Sequence, residues 1–497
     1  MFKKLSLPLV VIIILFVAAF TRLWNIPGSL QFLGDQGRDA IIVSDIFTKF
    51  DPVFIGPVTS VGNMYLGPLY YYFMMPFLML TFPSPVGPAY AVAILGILTV
   101  FLVYYLGKEL VGKKAAILAA ALMSVSSTAV LYSRFSWNPN PAPFVAISMV
   151  YATYYAWKKN AWAWTVVALC FSALIQLHYL ALLSAVSAGL IWLVSLKEKI
   201  TKKQLMATAA GLVIFIASLT PLILFDATHN WLNAKGFANM IFGTEESFAR
   251  ENEAFTSKIT KSVKETHGRG MHVLLEVTVG NDRTANTIFL LLFVGILGFA
   301  NYKAYTENKN HGLLVLGSYL FIGIAVISLY EHSIFDHYIA YLFPVTFLTI
   351  GYCLTWLWEK HLLGKVVATG FVAWFLVYNI PRLPLQNAGW NIHDMKNVSQ
   401  TILDRVEEHE KYNIVLLSET GDIDAQNYRY FLHVSDSPPV TLDKRGEVDT
   451  LFIINEDRKL DKVVDSPVYE IVVFPDKEAK EVYTIPGGPE ITVLKKK

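Results

Sequence analysis

Charge is what this chain has least of. Asp, Glu, Lys and Arg make up 16% of its 497 residues, against roughly 25% in a soluble globular domain, while 54% are hydrophobic and the mean hydropathy is +0.45. That balance excludes a soluble protein of two or three domains, a disordered chain and a fibrous repeat. The formal net charge of +2 leaves no electrostatic footprint for nucleic acid. Cysteine is scarce too. Cys170 and Cys353 both lie inside apolar runs, which excludes a disulfide framework and a thiolate metal site. No phosphate-cradling glycine loop, nucleophile elbow, internal repeat or low-complexity tract occurs. What the chain has in abundance is long apolar runs, and these make it a mainly α-helical, polytopic membrane protein.

A helix needs roughly 20 apolar residues to cross the hydrocarbon core. Runs of that kind fall at 5–24, 88–107, 115–132, 142–157, 161–177, 179–196, 205–225, 285–302, 312–330, 338–357 and 365–380, which predicts eleven spans. The first follows Lys3 and Lys4 as a signal peptide would, but Val17-Ala18-Ala19 leads into Phe20 and Trp24 rather than a small-residue cleavage site, so it reads as an uncleaved anchor. With a cytoplasmic N-terminus, Lys108, Lys113, Lys114, Lys158, Lys159, Lys197, Lys199, Lys202, Lys203, Lys303, Lys309, Lys360 and Lys365 all fall on inner connections, and Arg134 is the only cation of the short outer ones. Residues 65–82 are interrupted by Gly67, Pro68 and Pro76 and rich in Tyr. They read as a juxtamembrane helix on the outer leaflet, because a further span would invert the lysine pattern.

This predicts a multi-pass protein of the cell membrane with a transmembrane domain at 1–380, outer loops at 25–87 and 226–284, and a small extracytoplasmic α/β domain at 381–497. In that last domain Met395, Val398, Ile402 and Val406 mark one face of an amphipathic helix, and Ile414–Leu417, Leu451–Ile454, Ile471–Phe474 and Ile491–Leu494 read as short strands.

Candidate chemistry collects at the outer ends of the spans. Gly34-Asp35-Gln36-Gly37-Arg38-Asp39 places Asp35, Arg38 and Asp39 on one helix face. The same spacing suits an N-cap at Asp35 with Arg38 pairing back to it, but directly after the first span a carboxylate is also placed to act as general base on a hydroxyl, with Arg38 fixing its geometry. In the connection 132–141, Pro139 and Pro141 prevent a simple helical turn, Arg134 suits an anion or snorkels to lipid headgroups, and Asn138 and Asn140 add amides. Gln176-Leu177-His178-Tyr179 and Glu331 to Tyr338 form tight outer turns. His178, Tyr179, His332, His337 and Tyr338, with Tyr65, are the further candidates for substrate binding. A histidine at such a turn is commonly a satisfied structural residue, and His332 with His337 lacks a third ligand at metal spacing. The charges of the 226–284 loop read as a solvated face.

The span interiors hold essentially no Asp, Glu, Lys or Arg, the groups that ion-coupled transporters need at membrane depth. That points to a reaction at the outer interface, with one substrate supplied by the bilayer.

In this arrangement the sequence resembles the C-type glycosyltransferases, and within them the bacterial protein O-mannosyltransferase and aminoarabinose-transferase group. The resemblance covers the first 380 residues. It runs through Gly34–Ala40, Gly67-Pro68-Leu69-Tyr70-Tyr71, Tyr104–Leu110 with Gly112, and Tyr132-Ser133-Arg134, and His337-Tyr338 with Leu342 and Pro344 looks like the family's basic-Tyr element. It implies that Asp35 engages the acceptor hydroxyl and Arg134 the donor phosphate. The chain departs from its relatives at Gln36, where some carry Glu, and at Gly67, where the aminoarabinose enzymes carry Lys; the oligosaccharyltransferase Trp-Trp-Asp signature is absent.

What the resemblance implies is transfer of a monosaccharide, hexosyl or pentosyl, from a polyprenyl phosphate to an acceptor lipid, glycan or protein hydroxyl, with inversion. Asp35 is then the base, and Arg134, helped by His337, Tyr338 or His178, neutralises the leaving phosphate; no cofactor or divalent metal is implied. A lipid-linked sugar flippase would need a polar path through the spans. A non-enzymatic receptor with the outer domain as sensor fits the topology but leaves Asp35 and Arg134 without a task.

Overall fold

A computed structural model describes residues 7–59, 64–242, 255–280, 283–330, 333–458 and 463–496. The chain packs as two compact units: a helical unit of Met1–Trp24, Val53–Tyr70 and Tyr90–Pro384, and a sheet unit of Asn25–Pro52, Tyr71–Ala89 and Leu385–Lys497. The first outer loop is thus divided, and its helix Gly34–Thr48 belongs to the unit that holds the C-terminal region.

Among the described residues six helices are long and apolar enough to cross a bilayer: Gly87–Val111, Tyr179–Glu198, Lys202–Thr228, Asn286–Thr306, Asp336–Lys360 and Leu362–Arg382. Four apolar helices are shorter, Pro8–Leu23, Leu69–Thr81, Ala163–Leu177 and His311–Ile327. The remaining expected spans fall on Ala142–Lys158 and on the pair Lys113–Val125 and Ser127–Leu131. This is a multi-pass membrane protein.

The expected span 115–132 is broken, and Ser126 breaks it. Its backbone is extended, and its side chain accepts from the Ala129 N–H at 3.3 Å, so it caps a second short helix. Buried Asn379 satisfies the polar groups at the break: its Oδ1 accepts from the Ser127 N–H (2.7 Å) and hydroxyl (2.9 Å), and its Nδ2 donates to the Thr278 carbonyl at 2.6 Å.

Two buried charges lie near the ends of apolar helices. Arg22, fully buried near the end of Leu7–Leu23, donates to the Met123 and Ser124 carbonyls at 3.1 and 3.2 Å, closing the last turn of Lys113–Val125. Asp226, near the end of Lys202–Thr228, accepts from the Asn233 and Ala234 N–H groups at 2.8 and 2.9 Å and so caps the following helix, Leu232–Phe242. Both charges serve helix ends, where open carbonyls favour a cation and open N–H groups an anion.

In the sheet unit, β1 (Tyr412–Leu417), β2 (Thr450–Asn455), β3 (Ala479–Thr484) and β4 (Glu490–Lys495) form one sheet in the order β1-β2-β4-β3. β1 and β2 are parallel, joined through the helix Gln426–His433, and the other two pairings are antiparallel. Val415, Leu451, Ile453, Ile471, Phe474 and Leu494 share one core. Helix Ile392–Leu403 buries Ile392, Met395, Val398 and Ile402; Val406, expected on that face, lies beyond its end.

The strand expected at Ile471–Phe474 is instead part of a short helix, Tyr469–Val473. Ile471 and Phe474, three residues apart, both point into the core, which is a helical and not an alternating period. The remaining strand is β3, a largely exposed edge bearing Lys480 and Glu481. Its charges blunt further pairing and hide it from an apolar reading.

Candidate active site

In the sheet unit the candidate chemistry lies in the first turn of Gly34–Thr48. The N-cap position is Leu33, so Asp35 is not the cap that its spacing also allowed. Its carboxylate goes to Arg38, whose Nη1 donates to Asp35 Oδ1 at 2.7 Å. Arg38 Nε and Nη2 donate to Asp39 Oδ1 at 3.0 and 2.8 Å, and the Tyr71 hydroxyl donates to the same oxygen at 3.1 Å. The two acids differ in access: the Asp35 side chain is 50% exposed and Asp39 1%. Burial pushes the Asp39 carboxyl up to about 6 against the opposing pull of Arg38. Its Oδ2 is buried with no hydrogen-bond partner among the described residues.

Both glycines of the motif are close approaches to the C-terminal segment. A β-carbon at Gly37 would fall 2.1 Å from the Gln426 carbonyl oxygen, and one at Gly34 would fall 2.3 Å from Asp422 Oδ2. Further along the helix, Asp45 accepts from His433 Nε2 at 2.8 Å. The acid-bearing helix is therefore packed on Gln426–His433 through both its first turn and Asp45.

In the helical unit, Arg134 is 4% exposed and donates to the Thr21 carbonyl at 2.8 Å and the Trp24 carbonyl at 2.6 Å, the open end of Leu7–Leu23. Asn138 Nδ2 donates to the Leu177 carbonyl at 2.6 Å and Asn140 Nδ2 to the Phe135 carbonyl at 2.8 Å. These three side chains, expected to face an anion, fasten the 132–141 connection to backbone.

The turn residues do come together. The His178 ring lies 4.9 Å from Tyr338 and 6.1 Å from His337, and His337 lies 4.5 Å from Tyr338 and 4.4 Å from Trp137. Tyr179 donates its hydroxyl to the Tyr65 carbonyl, and the Tyr65 N–H donates to Asn233 Oδ1 at 2.6 Å. His332 lies outside the described residues.

Two groups escape the sequence reading. Tyr71, which steadies Asp39, sits in a Tyr-rich run that suits a membrane interface equally well. Arg269, in the long loop, donates to the Tyr330 carbonyl at 3.1 Å, and the Tyr330 ring lies 6.4 Å from Tyr338. Nothing in the sequence distinguishes that arginine from its solvated neighbours.

Apolar spans together with an α/β unit built around the C-terminal segment form a fold that solved membrane glycosyltransferases share. ArnT from Cupriavidus metallidurans, bound to undecaprenyl phosphate, is similar over 98% of this chain and 97% of its own, with a TM-score of 0.59 and 12% identity. The Archaeoglobus fulgidus oligosaccharyltransferase in its apo form is similar over 88% of this chain, with a TM-score of 0.51 and 12% identity; this chain spans 64% of its length. AglB from the same organism, in complex with an inhibitory peptide and a dolichol-phosphate, is similar over 90% of this chain and 69% of its own, with a TM-score of 0.52 and 11% identity. Residues 66–224 match the dolichyl-phosphate-mannose-protein mannosyltransferase family. No curated protein matches the chain in sequence.

Proposed function

We propose that this protein is a membrane glycosyltransferase that moves one sugar from a polyprenyl-phosphate donor to an acceptor hydroxyl. The observation that carries the reading is Asp35: an accessible carboxylate, held by Arg38, in the first turn of its helix. The proton of the acceptor hydroxyl passes to Asp35 as its oxygen bonds to the anomeric carbon. The bond from that carbon to the phosphate oxygen breaks on the opposite face, and polyprenyl phosphate leaves with the electron pair. One displacement inverts the anomeric centre.

The leaving phosphate gathers charge in the transition state, and hydrogen-bond donors already in place stabilise it without reorganising. The helical unit offers such donors in His178, His337 and Tyr338, with Arg269 linked to them through Tyr330. Arg134 takes a positioning role in this reading, because its terminal nitrogens hold the end of Leu7–Leu23. The lysine distribution supports a cytoplasmic N-terminus and an extracytoplasmic sheet unit in the cell membrane.

The test is transfer of a radiolabelled sugar from synthetic polyprenyl-phosphate donors by the purified full-length chain. Label moved to an acceptor hydroxyl with inversion supports the proposal. Label carried across a vesicle bilayer without transfer makes the protein a flippase instead.

A further inference from the structure

A cleft of about 340 Å³ opens in the sheet unit. Gln31 and Leu33 line one wall, Trp390 and Asn427 another, and Glu456 and Asp457 at the end of β2 face the β3–β4 turn. Its volume is within the range of small-molecule sites.

The Trp390 ring is fixed on two sides. Its Nε1 donates to the Tyr428 hydroxyl at 3.0 Å, which donates onward to Glu456 Oε1 at 2.6 Å. Its six-membered edge lies where Gly488 has no side chain: a β-carbon there would fall 2.3 Å from Cη2. An aromatic wall held this way loses little freedom when a ligand packs on it.

We infer that this cleft is a saccharide subsite that holds the acceptor. An indole offers apolar surface to the C–H face of a sugar ring. Amides and carboxylates around it supply the donors and acceptors that hydroxyl groups need. Among the described residues no Lys or Arg lines the cleft, and Arg458 beside it is engaged by the Gly488 carbonyl of the β3–β4 turn, so the mixed apolar and polar walls favour a neutral hydroxylated ligand over an anion. Leu33 is both a wall of the cleft and the N-cap position of the Asp35 helix, so the cleft and the proposed base share one segment of chain. The inference rests on the reading of Asp35 as base, and it narrows the acceptor from lipid, glycan or protein hydroxyl to a saccharide.

Saturation-transfer NMR on the full-length chain in detergent, with mannotriose and N-acetylchitotriose as probes, tests it. Ring protons of at least one probe should take up saturation, and Trp390→Ala should lower the effect about fivefold. Gln31→Ala, at an exposed rim position, should weaken it without disturbing the fold. Asp35→Asn should abolish sugar transfer yet leave the saturation signal in place. No saturation of either probe, or a signal unchanged in Trp390→Ala, overturns the subsite and leaves the transfer chemistry standing. Saturation without any transfer by the wild type overturns the reading of Asp35 alone.

Discussion

Arg38 reaches Asp35 at 2.7 Å through Nη1 and keeps Nε and Nη2 for Asp39, so one guanidinium fixes the exposed carboxylate by way of the buried one. A planar fork does this and a point charge does not. Arg38→Lys should therefore lower turnover by roughly 10–100-fold with donor affinity little changed. Steady-state kinetics with donor varied at saturating acceptor reads the split. An equal loss in donor affinity would move Arg38 into donor binding.

The buried acids of the sheet unit make its stability depend on pH. Burial pushes both Asp39 and Asp422 up to about 6, so between about pH 4 and 6 the folded chain binds more protons than the unfolded chain. Stability contributed by these groups is present in acid and falls as pH rises through 6, by up to about 3 kcal/mol for fully buried Asp39. Asp45 opposes this: hydrogen bonds from His433 and Lys49 outweigh its partial burial and lower it. Melting of the full-length chain across this window should show a shallower fall in Asp39→Asn than in wild type. An unchanged slope would mean that Asp39 is ionised at little cost.

Arg134 and Arg22 each close the end of a helix in the helical unit, so their loss should be felt as stability. Arg134→Ala should lower the melting temperature, and Arg134→Lys should recover part of it. At matched folded fraction, donor affinity should stay within about twofold of wild type, while Tyr338→Phe should weaken it more. A tenfold loss of donor affinity in folded Arg134→Lys would return the phosphate to Arg134.

Topology is testable in intact cells. In a background lacking the buried Cys170 and Cys353, a cysteine at exposed Ser437 should react with an impermeant maleimide and one at exposed Lys199 should not. The reverse pattern would invert the membrane orientation.

How much of this the sequence reveals depends on whether a signal is local. The apolar runs and the buried strands β1, β2 and β4 announce themselves, because burial on both sides writes an unbroken apolar segment. The break at Ser126 is hidden, since a serine inside an apolar run reads as a tolerated residue until Asn379, far along the chain, satisfies the freed backbone. Ile471–Phe474 deceives for a similar reason, because a short apolar run fits either period. At the candidate site, Asp35 and Arg38 are legible as neighbours on one turn. Tyr71, Arg269 and the Trp390 relay are not, because what distinguishes each is a partner tens of residues away.

Asp35→Asn tests the proposed base most directly. Asn keeps the size and one hydrogen-bonding oxygen for Arg38 but does not take a proton, so the loss should fall on the chemical step. Single-turnover transfer from a synthetic polyprenyl-phosphate sugar should drop roughly 10²–10⁴-fold while donor affinity stays unchanged. A variant that keeps more than about a tenth of the wild-type rate would contradict the assignment and leave Asp35 as a residue that merely orders its helix turn.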